Sequence, residues 1–123
     1  DRGAFLDISL DFIFYASIPV AFALFDPSKN AIPALILLFS FFGTGSTFLA
    51  FSIIAERKKI ISKEFNKKGF YYLGGLVEGT ETIVFFVLMC LLPNYFPIIV
   101  YLFSFGCLIT TIFRLKIGYS AFN

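Results

Sequence analysis

Four long apolar runs constrain this chain more than any other feature. They fall at residues 4–25, 31–55, 70–92 and 95–113. A helix needs about 20 mostly apolar residues to cross a bilayer. Hydrocarbon offers no water to the backbone, so each run must satisfy its own amides, and the helix is the form that does so. The chain has 123 residues, enough for one domain, and 59% of them are hydrophobic, including nineteen Phe. A soluble domain of that length has too little interior to hide such a surface. The expected fold class is all-α: a polytopic transmembrane helix bundle with four spans.

The breaks between runs support this reading. "DPSKN" at 26–30 carries the Asp-Pro and Asn content of a turn. "PN" at 93–94 turns the chain again. The one long polar stretch is "ERKKIISKEFNKKG", residues 56–69, and "RLKIGYSAFN" forms a tail. Pro19 falls inside the first span, where its missing amide hydrogen predicts a kink. Pro33 and Pro97 are expected near helix starts, where proline is tolerated.

Charge sets the expected orientation. Arg57, Lys58, Lys59, Lys63, Lys67 and Lys68 lie in the polar stretch, and four spans put Arg2, Arg114 and Lys116 on the same side. Only Lys29 is opposite, so the cation-rich side is expected to face the cytoplasm. These cations serve as an inside signal and as headgroup contacts, each gaining about 1 kcal/mol at an anionic surface. Gripping an anionic substrate is compatible with both roles.

Some chemistries are excluded. There is no His, so His-based zinc sites and Ser–His or Cys–His catalysis have no residue to use. Cys90 and Cys107 lie in apolar runs without CxxC spacing and read as small apolar fillers. The net charge of +2 gives no footprint for nucleic acid.

The acidic residues carry the remaining information. Asp1, Asp26, Glu56 and Glu64 fall at ends or in polar stretches, whereas Asp7, Asp11, Glu78 and Glu81 fall inside runs. A charge at the bilayer centre costs at least about 2.5–3.5 kcal/mol. Helical geometry places Gly3, Asp7, Asp11 and Tyr15 on one stripe, and Gly74, Glu78, Glu81 and Thr82 on another. Both stripes begin at the cytoplasmic end, which predicts one wet cavity open to the cytoplasm. Clustered carboxylates stay ionised when a cation sits among them. No Lys or Arg is expected inside a span, and oxygen ligands favour Mg²⁺, Mn²⁺ or Ca²⁺ over zinc. Gly3, one turn before Asp7, leaves backbone open to close approach. A proton relay or ion pathway uses intramembrane acids in the same way. Glu78 and Glu81 equally suit hydrogen bonds to neighbouring Ser and Thr, and "GTGST" at 43–47 suits close helix packing.

Residues 3–11 read G-x-x-x-D-x-x-x-D. This resembles the second half of the signature of the CDP-alcohol phosphatidyltransferases, D-x-x-D-G-x-x-A-R-x(8)-G-x-x-x-D-x-x-x-D. "GAFLD" opening a span, and "GFYYLGGLVEGTET" at 69–82, are also similar to bacterial members. The first half of the signature is absent from the chain, and the spacing of Asp1 does not replace it.

The resemblance implies that the four spans are the last four of six. Residues 1–123 would then be the C-terminal part of one integral-membrane catalytic domain, inactive by itself. It implies transfer of a phosphatidyl group from a CDP-alcohol such as CDP-diacylglycerol to an acceptor alcohol, with release of CMP. Asp7 maps to a metal ligand. Asp11 maps to the general base beside the metals, which are Mg²⁺ or Mn²⁺. Gly3, Arg57, Arg114 and Lys116 are the expected substrate contacts, the three cations toward an acceptor phosphate, with Glu78 and Glu81 as cavity-lining acids. A homodimer in a bacterial inner membrane, its site facing the cytoplasm, is the expected assembly. A small ion- or proton-coupled transporter using the same carboxylates is the alternative, and a scaffold subunit without chemistry is a third.

Overall fold

The computed structural model describes residues 1–58 and 80–122. Four helices account for nearly all of them. α1 is Arg2–Phe25, α2 is Pro27–Lys58, α3 is Thr80–Leu91 and α4 is Phe96–Ala121, preceded by a 3₁₀ turn at Pro93–Tyr95. No strand occurs among the described residues. The protein is an all-α membrane helix bundle. α1, α2 and the segment Pro93–Ala121 are each long and apolar enough to cross a bilayer, while the described α3 is shorter. The predicted start of the third span at residue 70, and with it Gly74 and Glu78, lies outside the described residues.

The first turn is tighter than its composition suggests. Asp26 alone separates α1 from α2. Its carbonyl accepts the first helical bond of α2, from the Asn30 amide at 2.9 Å, and its carboxylate accepts from Ser28 Oγ at 3.1 Å. An Asp at the cap followed by Pro at the first helical position starts a helix, because the proline gives up only an amide that lacks a partner there anyway. α2 therefore begins four residues before the expected Ala31, and Pro33 lies within the helix instead of at its start. Buried Asn30 closes the hairpin by donating from Nδ2 to Phe22 O at 3.0 Å. Pro19 is buried inside α1, which runs unbroken from Arg2 to Phe25.

α2 is the central rod. α1 packs antiparallel to it, bringing Phe22 to Asn30 at one end and Phe12 to Gly45 further along. α4 packs parallel to α2: Gly43 meets Thr111, and Phe51 meets Gly118 and Phe122. The start of α1 and the ends of α2 and α4 thus share one end of the bundle, and Lys29 lies at the other.

Packing replaces hydrophobic exclusion as the source of cohesion. Lipid tails are as apolar as the helices, so association depends on close van der Waals fit and small residues at the seam. Ala34, Ser40 and Thr44 on α2 and Ser104, Cys107 and Thr110 on α4 are all buried. A Cβ at Gly43 would lie 2.8 Å from Thr111 Oγ1, so glycine is what lets the two backbones approach. Aromatic rings fill the wider gaps. Phe22 stacks on Phe96 and Phe85 on Phe103, each pair with centroids 4.5 Å apart. Phe86 of α3 sits edge-on to Phe14, Tyr15 and Phe41, which joins three helices. Large apolar side chains such as Phe5, Leu24, Phe39 and Phe105 point outward, the lipid-facing surface of such a bundle.

Candidate functional site

A cavity of about 680 Å³ opens between α1 and α2. α1 contributes Asp7, Asp11 and Tyr15, and α2 contributes Phe41, Thr44, Gly45 and Phe48 among others. The four-residue spacing of Asp7, Asp11 and Tyr15 is why one helix presents all three. Asp7, Asp11 and Tyr15 of the expected stripe line the cavity, near the end of the bundle that holds Arg2 and Arg57, and Gly3 is not among its lining residues. Both carboxylates are exposed, and the walls around them are mostly apolar.

Tyr15 lies one turn deeper than Asp11 and is half-buried. Its ring is held against Phe86 at 5.7 Å, Phe14 at 6.0 Å and Phe41 at 6.2 Å. Edge-to-face and tilted contacts of this kind fix a ring's orientation. Gly3 is exposed, and a Cβ built there meets nothing within 4 Å. Packing among the described residues does not call for glycine at that position.

The second acidic stripe divides. Thr82 is buried in α3, whereas Glu81 beside it is exposed. Adjacent helical residues point about 100° apart, so the two do not share a face. Glu81 is not among the residues that line the cavity between α1 and α2. Glu78 lies outside the described residues. Among the described residues, no third Asp, Glu or Cys joins Asp7 and Asp11 in a group able to hold a metal.

The three cations expected at an acceptor phosphate have different settings. Arg57 in the last turn of α2 and Lys116 on α4 are exposed, and neither lines the cavity. Arg114 departs further from expectation. The fourth helix runs past the expected span end at residue 113 to Ala121, and Arg114 lies within it, 2% exposed. Its Nη1 donates to Thr44 O at 2.7 Å, and its guanidinium carbon lies 5.8 Å from the Phe48 ring centroid. A cation is thus buried within α4, against Thr44 and Phe48, which wall the cavity from α2. The reason is local. Only Lys116 is charged after Arg114, and Leu115, Ile117, Gly118 and Tyr119 continue the apolar pattern.

Sequence reasoning found the acidic wall and missed the opposite one. Phe41, Thr44, Gly45 and Phe48 carry no charge to mark them. The "GTGST" cluster at 43–47 is the one signal in the sequence that marks this wall, and as a signal it points to helix packing. It serves both purposes, since Gly43 faces α4 and Gly45 faces α1.

No family model and no solved structure matches the chain. The chain is similar to inner membrane protein YnjF of Escherichia coli strain K12, with 51% identity over 119 residues. That alignment covers 97% of this chain and 58% of the relative, so the chain spans a little over half of the relative's length.

Proposed function

We propose that this chain belongs to a CDP-alcohol phosphatidyltransferase of the bacterial inner membrane, with the cavity between α1 and α2 as part of its active site. The observation that carries the reading is the G-x-x-x-D-x-x-x-D spacing of residues 3–11, whose two aspartates line one cavity. The E. coli relative is named as an inner membrane protein, which supports the inner-membrane location.

The donor set suits a hard divalent cation. Magnesium sites are commonly completed by one or two carboxylates together with water and substrate phosphates. Asp7 and Asp11, one turn apart on one face, are such a pair. Mg²⁺ or Mn²⁺ held there would screen the charge of a diphosphate and stabilise the leaving CMP.

The chain's own residues supply the rest. Asp11 accepts the proton of the acceptor hydroxyl as its oxygen attacks the lipid-bearing phosphorus. The bond from that phosphorus to the CMP oxygen breaks, and CMP leaves with the electron pair. The apolar walls formed by Phe41, Phe42 and Leu49 tolerate the lipid portion, while the carboxylates stay near the polar end of the bundle. Gly3, the first residue of the same spacing, is exposed one turn before Asp7 and is available to substrate. Arg57 and Lys116, exposed at the same end, are available to an acceptor phosphate, and Arg114 adds positive charge behind the Thr44 wall. Pairing into a homodimer belongs to the same reading.

The test is a screen of full-length protein in lipid nanodiscs with CDP-diacylglycerol and a panel of acceptor alcohols, followed by CMP release. Metal-dependent CMP release with one acceptor supports the proposal. Binding of a coupling ion with no CDP-lipid turnover would favour the transporter.

A further inference from the structure

We propose that Gly45 is the seat of the Phe12 ring, and that occupancy of this seat keeps the cavity beside Asp7 and Asp11 open. Phe12 follows Asp11 directly, and both Phe12 and Gly45 line the cavity. A Cβ at position 45 would collide with Phe12 Cε1 and lie 3.0 Å from Cζ. Gly45 therefore acts on the volume available to a ligand through a ring on the opposite wall.

The two glycines of α2 differ in what they meet. At Gly43 the obstacle is Thr111, a β-branched residue with few side-chain options, pinned by its Oγ1 donating to Cys107 O at 2.9 Å. At Gly45 the obstacle is the far edge of an aromatic ring on two rotatable bonds. A methyl group at 45 displaces that ring and leaves the helix spacing intact. Long side chains on a helix lean back over the preceding turn. For Phe12 that turn carries Ile8, which also lines the cavity. The displaced ring stays on the cavity side and occupies space next to the carboxylates. Position 45 thus sets the bulk of the group that the cavity admits, whatever reaction takes place there.

The test reads cavity access without any substrate. Full-length protein carries Cys90→Ala to remove the exposed native thiol, and Ala16→Cys as a reporter on the cavity wall; Cys107 is buried. Labelling by a small maleimide is timed with Gly45 present, with Gly45→Ala, and with Gly45→Ala plus Phe12→Ala. Gly45→Ala is expected to slow labelling at least about tenfold, as for a cavity open a tenth of the time. Adding Phe12→Ala is expected to restore the rate to within about twofold of the parent. An unchanged rate in Gly45→Ala overturns the proposal. So does slowing that Phe12→Ala does not relieve, or a Gly45→Ala protein that fails to fold, because then the ring does not absorb the collision. Absence of CDP-lipid turnover in the parent would refute the phosphatidyltransferase reading and leave this result standing.

Discussion

Arg114 of α4 donates from Nη1 to the backbone carbonyl of Thr44 on α2 across 2.7 Å, with its guanidinium over the Phe48 ring. The bond joins residues 70 positions apart in the chain, at the level of the cavity. A buried guanidinium in a membrane helix is costly unless its donors are used. Here the backbone of the neighbouring span is one acceptor.

Replacing Arg114 should therefore loosen α4 from α2. Arg114→Ala is expected to lower stability by about 1.5–3 kcal/mol, the range for a hydrogen bond to a charged group. Arg114→Lys is expected to recover only part of it, because an ammonium lacks the planar fork. Unfolding in mixed detergent micelles measures both. Equal stability of Arg114→Ala and the parent would remove this bond from the account of the fold.

Gly43 should behave as a packing position. Gly43→Ala puts a methyl group against Thr111, at 2.8 Å from Oγ1 and 3.1 Å from Cγ2. The expected loss is about 1–3 kcal/mol, the usual cost of overpacking. Thr111→Ala in the same chain should return a large share of it, which a double-mutant cycle in the unfolding assay would detect.

The two aspartates should separate in kinetics. Asp11→Asn in the full-length protein is expected to abolish CMP release while insertion and folding persist, since an amide accepts no proton at neutral pH. Asp7→Asn is expected to raise the Mg²⁺ concentration needed for half-maximal rate. Near-parental turnover by Asp11→Asn would remove Asp11 as the base.

Metal removal should be reversible. Activity of the full-length protein is expected to vanish in EDTA and return with Mg²⁺ or Mn²⁺. Thermal unfolding followed in parallel is expected to show a lower midpoint in EDTA that Mg²⁺ restores, because a cation that binds only the folded site stabilises it by mass action. Persistent turnover in chelator would contradict the metal site.

The sequence by itself determined the class of the fold and one wall of the cavity. Apolar runs of spanning length leave the helix as the backbone's resort in lipid, and four-residue spacing places Asp7, Asp11 and Tyr15 on one side whatever surrounds them. Tertiary structure alone decided what faces them. The pairing of Phe12 with Gly45, the burial of Arg114 against Thr44 and the parting of Glu81 from Thr82 depend on how the rods rotate against one another. In a bilayer that rotation is set by close fit between small residues and rings, and hydropathy along the chain carries no record of it.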